Sequence, residues 1–469
     1  MSVMNRITSG IERWIAPAAN KIANQKYIKV IQSTFLTLIP FFTIGSFALI
    51  IISPPVDFTT LDPGFGRSFF QGWQAVADFT YPALNVIYAT TIGAISVYVA
   101  GGLAFYLARH HKMTTFIPVA LALATFLIMV GLNEEEAIAS QYFSGTGLFT
   151  AIVSGIAAFE LYRFLYDKRV GRIELSGNGV PPALSESLAS LVPITIVLVA
   201  AGAVAAVTEW LSGAPFPDLI SILMAPVIDG VDTIWAVVIL ALIVMILWWF
   251  GIHDTVVTGP LSPFFLSNLA ANSAAFAAGT AAVALPFVLT EPFWWTFMAI
   301  GGSGATLGLA FLAVWSRSKH IKTVGRLSAV PALFNINEPL IFGLPLMYNP
   351  TLFFPFVFVM PINGGIVYAL MESGFISRTF ADGGWNMPSP VGALLSTLDW
   401  KAALIVVGLI LLDVLIYYPF FKVYEKQKVA EEKADDDPAP ANPADAAELA
   451  NEAPDAAAPT ARTAGTTTA

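Results

Sequence analysis

The sequence predicts an all-α polytopic membrane protein of about ten transmembrane helices, on three observations. Of its 469 residues, 56% are hydrophobic and only 12% are charged, against roughly 25% charged in a soluble domain. The mean hydropathy is +0.72, and apolar runs of the roughly 20 residues that cross a bilayer recur along the chain. One orientation collects 19 of the 23 Lys and Arg on a single side of the membrane.

The elements follow in order. Residues 1–29 carry Arg6, Arg13, Lys21, Lys26 and Lys29, while Val3, Ile7, Ile11, Trp14 and Ile15 share one helical face. This predicts an amphipathic helix on the membrane surface, without the short apolar core and cleavage site of a secretory signal. Spans are expected at 30–52, 83–108, 114–132, 147–166, 187–211, 233–252, 280–312, 351–375 and 402–421. The overlong 280–312 holds Pro286 and Pro292, so a kinked, tilted or partly re-entrant path is expected there. Within it, G-G-S-G-A-T-L-G-L at 301–309 reads as small residues for close helix packing. Between 253 and 279 the chain is too polar for a lipid-facing helix and too apolar for an open loop, and a broken crossing is expected. The polar stretch 167–186 reads as a connection dividing the first half. From about Val429 the chain turns to Ala, Pro, Glu, Asp and Thr, with too little apolar surface to offset ordering.

Basic residues orient these spans. With the N-terminus inside, the cytoplasmic pieces are 1–29, 109–113, 163–172, 317–326 and 422–433. The opposite loops hold Asp57, Asp62, Glu134, Glu135, Glu136, Asp218, Asp229 and Asp382 with few bases. Both termini are therefore expected in the cytoplasm of a multi-pass plasma-membrane protein surrounded by lipid. Segment 327–350 starts and ends on that side, so it is expected to enter the membrane and return as a re-entrant hairpin. The expected units are the surface helix 1–29, transmembrane units over 30–212 and 213–428, and a disordered acidic tail over 429–469.

There is no cysteine and there are only four histidines, two of them adjacent. Disulfides and thiolate chemistry are excluded, and no metal cluster is expected. The sequence shows no P-loop or dinucleotide glycine motif, and neither a cofactor nor a nucleic-acid partner is expected. Chemistry concentrates in two places. F-N-I-N-E-P-L-I-F-G-L-P-L-M-Y-N-P at 334–350 puts Asn335, Asn337 and Glu338 among helix-breaking residues. W-W-F-G-I-H-D puts Trp249, His253 and Asp254 at the end of an apolar span. Broken backbone at membrane depth survives only under protein or in a water-filled cavity, and an ionisable group there is a functional candidate. Trp248, Trp249, Trp294, Trp295 and Trp385 crowd the same half. Indoles stack on carbohydrate C–H faces, although most membrane tryptophans are interfacial anchors. Trp385 stands apart with Asn386 in the Gly/Pro-rich D-G-G-W-N-M-P-S-P. Glu291, in L-T-E-P-F-W-W, echoes N-E-P as a weaker candidate, whereas Glu209, Glu372 and Asp413 read as solvated near span ends.

F-N-I-N-E-P-L-I-F-G-L-P-L-M-Y-N-P, F-G-I-H, G-G-S-G-A-T-L-G-L and the terminal Y-Y-P-F-F-K-V-Y-E-K-Q together resemble the membrane-spanning IIC component of bacterial phosphotransferase systems, in the lactose, cellobiose and diacetylchitobiose branch. The likeness covers about residues 1–428. It implies a glucose-superfamily IIC-like elevator transporter with re-entrant hairpins, working as a homodimer. The first half would build a scaffold and dimer interface, and the second would hold and move a β-linked disaccharide. It also implies that His253 and Glu338 contact the sugar near its phosphoryl acceptor, as catalytic residues, and that Trp385 binds it. Asn386, Asn335, Asn337, Asp254 and Trp249 are the further sugar-binding candidates. Where relatives commonly have glycine after the histidine, this chain has Asp254, a carboxylate placed to change sugar preference or to pair with His253.

In such a system the phosphoryl donor is a phosphocysteine on a IIB protein. A chain without cysteine is then the membrane component of a protein-phosphocysteine–sugar phosphotransferase, with phosphorylated IIB as a separate partner. Arg317, Lys319, Lys322 and Arg326 are candidates to dock it, positive-inside anchoring being the plainer role. The competing class is an ion-coupled sugar symporter using Glu338 as coupling carboxylate.

Overall fold

The computed structural model describes residues 25–171 and 182–436. The predicted surface helix lies almost wholly outside these residues, as do the tail beyond 436 and much of the polar connection 167–186. Among the described residues the chain is helical without sheets, its single β-bridge joining Leu132 and Ile138.

The first half begins with α1 (Lys26–Ile52), whose N-terminus is capped by Gln25 accepting from the Ile28 amide at 2.9 Å. It is followed by α2 (Phe65–Thr90), α3 (Ile95–His110), α4 (Phe116–Val130), α5 (Leu148–Asp167) and α6 (Pro182–Ser212). Where one span was expected over 83–108, there are two helices. Polar residues Arg67, Gln71, Gln74 and Asp78 hide the helical period of α2 from a hydropathy reading. Its end is set by Thr90 and Thr91, whose hydroxyls bond back to the Val86 and Ile87 carbonyls at 2.7 and 2.6 Å before a 3₁₀ turn at Ile92–Ala94. Helix α7 (Phe216–Val231) was not expected either; it opens on Pro215 and Pro217, and at 16 residues it is shorter than a full crossing.

The second half holds α8 (Ile234–Trp249), α9 (Thr255–Ala277), α10 (Leu307–Val314), α11 (Lys319–Leu333), the single-turn α12 (Glu338–Gly343), α13 (Phe353–Glu372), α14 (Ser389–Thr397) and α15 (Trp400–Asp436). Among the described residues six helical stretches are long and apolar enough to cross a membrane: Lys26–Ile52, Phe65–His110, Gly145–Asp167, Leu188–Ser212, Phe353–Glu372 and Trp400–Ala434. Three shorter apolar helices accompany them: Phe116–Val130, Phe216–Ile228 and Ile234–Trp249.

Within 253–312 one expectation is reversed, and the departure from a straight span expected at 280–312 goes further than a kink. The stretch expected to be broken is the continuous helix α9, despite Pro260 and Pro263. Its polar residues are buried and bonded to backbone that has no helix of its own. Asn268 Nδ2 donates to the Leu289 carbonyl at 2.8 Å, and Asn272 Nδ2 donates to those of Phe287 and Thr379 at 2.8 Å each. Asn272 Oδ1 accepts from the Phe287 amide at 3.0 Å, and Ser273 bonds the Phe380 carbonyl. Conversely, the expected span 280–312 is non-helical over much of its length, with a π-turn at Phe293–Met298 and α10 starting only at Leu307. The glycine run 301–304 is a loop rather than a helix-packing stripe: Gly301, Gly302 and Gly304 have φ of 77°, 99° and 87°, a region glycine enters without a Cβ clash. Gly308, inside α10, does serve close packing, its Cα facing the Asp413–Val414 backbone of α15.

Among the described residues two large apolar cores result, with a smaller cluster of Leu121, Ala158, Tyr162, Leu165 and Val197 where α4, α5 and α6 meet. One joins α1 through α5 around Phe35, Phe42, Leu103, Phe126 and Phe159; the other joins α8 and α10 through α15 around Trp249, Phe293, Phe297, Phe356 and Tyr417. Helix α9 feeds both, Phe265 packing in the second core and Leu266, Leu269 and Ala270 in the first. Asp413, read as solvated, is fully buried and accepts from Asn363 Nδ2 at 3.3 Å. Helix α15 continues to Asp436, past the expected start of disorder at Val429, which puts Asp413 mid-helix against α13. The C-terminal part of α15 grips the chain at the start of α11. Glu425 accepts from Ser316 Oγ and the Arg317 amide, both at 2.7 Å, and Glu432 accepts from Ser318 Oγ at 2.6 Å and the His320 amide at 2.8 Å.

Candidate functional site

A cavity of about 290 Å³ opens where α1 of the first half meets the irregular segments of the second, at the small end of the roughly 300–1,000 Å³ of ligand cavities. His253, Asp254 and Glu338 line it together with Glu291, Asn335, Asn337, Ser303, Trp248, Trp295 and Trp385. Helix α1 adds Gln32, Leu36 and Ile39, and the first turns of α9 add Thr255, Thr258 and Ser262.

Each carboxylate is held by a local break in the chain. Helix α8 ends at Trp249, and Gly251 at φ 82° turns the chain so that His253 and Asp254 precede the first turn of α9. Asp254 is buried, and its Oδ2 accepts the hydroxyl of Ser303 from the glycine loop. Its Oδ1 lies 2.8 Å from His253 Nδ1, and the imidazole rests against the Trp248 indole with ring centroids 4.6 Å apart. Glu338 opens α12, with Pro339 tolerated in the first turn, and is exposed in the cavity. Asn337 reaches back to the glycine loop, donating at 2.8 Å to both the Ser303 carbonyl and Thr306 Oγ1. Asn335, at φ 60°, accepts from the Gly301 amide and donates to the Trp385 carbonyl, both at 2.8 Å. The two asparagines thus tie three irregular segments into one wall. Glu291 accepts from Trp295 Nε1 at 2.9 Å, and its other oxygen is buried with no protein partner among the described residues.

Two sequence candidates do not line the cavity. Trp249 is buried in the second core and donates its indole N–H to the Asn349 carbonyl at 3.2 Å, outside the cavity. One position along α8 turns a side chain by about 100°, and Trp248 is the indole that reaches the cavity. Asn386 is exposed outside the cavity, beside Gly384. Asp254 does line the cavity, and its oxygens are turned to Ser303 and to His253, the pairing the sequence offered. On α11 and just before it, Arg317, Lys319 and Arg326 are exposed and Lys322 is half-buried, all away from the cavity.

The model of the family described as "Phosphotransferase system, EIIC" matches residues 32–359. The chain belongs to that family. Similar proteins include the cellobiose-specific EIIC component of Geobacillus stearothermophilus, 31% identical with 92% of this chain and 97% of the relative covered. The lichenan permease IIC component of Bacillus subtilis (strain 168) is 28% identical, with 92% and 96% covered. The crystal structure of the transporter ChbC, the IIC component from the N,N'-diacetylchitobiose-specific phosphotransferase system, matches with a TM-score of 0.80 at 30% identity, covering 90% of this chain and 99% of that one.

In this EIIC chain the motif residues meet, and several neighbours were missed. Gln32 is the single amide in the apolar run of α1, the one signal that set it apart. Trp295 follows Glu291 by one helical turn, a spacing that brings two side chains together. Ser303 had no signal, because its role depends on a glycine loop read as helix.

Proposed function

We propose that this EIIC chain is a permease that binds a β-linked disaccharide such as cellobiose or N,N'-diacetylchitobiose, carries it across the bacterial plasma membrane, and presents its C6 hydroxyl to a phosphorylated IIB protein. The observation that carries the reading is the convergence of Glu338 and His253 on one cavity walled by three indoles. Relatives of cellobiose, lichenan and diacetylchitobiose systems support the substrate class.

Glu338 accepts the hydrogen bond of the C6 hydroxyl and takes its proton as the oxygen attacks phosphorus. The new O–P bond forms as the P–S bond of the donor phosphocysteine breaks, and the thiolate leaves with the electron pair. His253 orients the same hydroxyl and offsets the approaching negative charge. Such a transfer depends chiefly on positioning and electrostatics, which a preformed cavity provides. The working unit is a homodimer with both termini cytoplasmic. Residues 30–212 serve as scaffold and 213–428 move as an elevator, with hairpin 327–350 re-entering the membrane. The bases at 317–326 dock the donor.

The test is uptake into vesicles of purified protein with phosphorylated IIB on the cytoplasmic side. Wild type should accumulate sugar 6-phosphate, and Glu338→Gln should lower product about 100-fold, the scale of one general base, while still folding. Normal phosphorylation in that variant sinks the role of Glu338. Ion-driven uptake of unmodified sugar without IIB replaces the permease reading with symport.

A further inference from the structure

We infer that Asp254 is a positioning residue that fixes His253 in the tautomer carrying its proton on Nδ1, so that Nε2 is the ring atom offered to the ligand. The inference rests on the proposed sugar reading only for what that ligand is.

Asp254 has two oxygens to satisfy in a buried site. Oδ2 accepts the Ser303 hydroxyl. Oδ1 is fully covered and takes no well-aligned hydrogen bond from any described group; His253 Nδ1, 2.8 Å away, is the donor atom within reach of it. A buried carboxylate oxygen without a donor costs more than a neutral one, which favours a proton on Nδ1 directed at it. Other contacts at Nδ1 compete. Thr255 Oγ1 sits at 3.0 Å and is satisfied with either nitrogen state, since a hydroxyl donates or accepts. The Thr255 amide lies 3.3 Å from Nδ1 and would need it unprotonated. That contact is longer and uncharged, and bonds to an ionised group are roughly twice as strong as neutral ones, so Asp254 decides the tautomer.

The consequence follows from ring geometry. With Nδ1 committed, Nε2 carries the lone pair of the neutral ring and has no protein partner among the described residues, while the ring itself lines the cavity. A second bond at one ring nitrogen commonly dictates what the other can do. Ser303 extends the relay: its backbone carbonyl is held by Asn337 and its hydroxyl by Asp254, so the glycine loop orients the carboxylate that orients the histidine. In the resulting arrangement the neutral ring accepts a hydrogen bond from the ligand through Nε2; when Nε2 takes up a proton, the carboxylate stabilises the imidazolium, whose charge offsets that of the approaching phosphate while Glu338 takes the C6 proton, the logic of an acid–histidine pair.

The test uses the full chain in lipid nanodiscs with ¹⁵N-labelled histidine at pH 9, without sugar or IIB. The His253 signals are assigned by their loss in His253→Gln, which leaves three histidines. Wild type should show the proton on Nδ1. Asp254→Ala should shift it to Nε2, the form a free histidine side chain prefers, whereas Asp254→Asn should keep it on Nδ1 because the amide oxygen still accepts. A wild-type Nε2 proton, or an unchanged tautomer in Asp254→Ala, overturns the inference. If Asp254→Ala does not fold, the wild-type spectrum and Asp254→Asn still decide it.

With cellobiose or N,N'-diacetylchitobiose and phosphorylated IIB, Asp254→Ala should lower kcat about 10- to 100-fold, part of the 10²–10⁴ an oriented acid–base group supplies, with KM within about threefold. Asp254→Asn should retain more activity than Asp254→Ala. Equal losses in both variants, or a loss in KM alone, count against positioning. Absence of product from wild type itself overturns the permease reading and leaves the tautomer result standing.

Discussion

The two halves of the molecule contrast in how they treat the backbone. In the first, α1 through α5 are mostly regular helix, and their side chains build an ordinary apolar core. In the second, the chain leaves helical geometry at 250–254, 278–306, 334–337 and 344–352, and side-chain amides replace the missing backbone bonds. Asn268, Asn272, Asn335 and Asn337 are buried for that reason. The candidate site sits among those breaks. Regular helix hides polar backbone, whereas broken helix exposes it, together with carboxylates, to a cavity where a polar ligand can bind.

This contrast can be broken from either side. Phe126→Ala, in the first core, should produce the largest loss of stability, about 3–5 kcal/mol for a buried phenylalanine. Sugar affinity of the folded fraction should be unchanged by calorimetry. Weakened affinity would mean that the first half shapes the site beyond α1.

Gly302→Ala comes next. A Cβ there would lie 2.4 Å from Asn337 Cγ on backbone at φ 99°. Strain and overpacking together predict a cost of about 3 kcal/mol, read as a lower Tm. Here affinity should fall as well, because the displaced Asn337 borders Glu338.

A matched tryptophan pair sharpens the comparison within one half. Trp295→Phe removes the N–H held by Glu291 in the cavity and should weaken sugar binding about tenfold, or 1.4 kcal/mol. Trp249→Phe removes an N–H held by the Asn349 carbonyl and should cost about 1 kcal/mol of stability with affinity intact. Equal effects on affinity would erase the distinction between cavity and core.

The smallest effect belongs to the loop after α1. Asp57 accepts from Thr59 N and Oγ1 at 2.9 and 2.7 Å, which holds its acid below the ordinary 3.8. A depressed folded pKa contributes stability that is present above 3.8 and is lost as pH falls through the lower folded value. Asp57→Asn should therefore flatten the acid limb of a Tm–pH profile slightly and leave transport unaltered.

Much of the second half was legible before any coordinates, because its signals are local. F-N-I-N-E-P and F-G-I-H-D announced chemistry by placing charge where helix rules fail, and the cavity does contain His253, Asp254, Asn335, Asn337, Glu338 and Trp385. What stayed hidden is non-local. Gln32 joins the site only because α1 packs on α9, and the choice of Trp248 over Trp249 depends on where α8 ends. The helical nature of 255–277 was obscured because its asparagines look unsuited to a helix until the backbone they bond to is known. Arg67, Gln71 and Asp78 similarly concealed α2 behind a hydropathy average.

Helix α9 carries one more consequence. Its asparagines and Ser273 hold carbonyls at 287, 289, 379 and 380 that are otherwise without helical partners. Turning α9 about its own axis would strand those groups at about 1–3 kcal/mol each. Any displacement of one core past the other must therefore carry α9 and both attached segments as one stiff beam, and the compliance has to lie at its ends, beside Gly251 and Gly279.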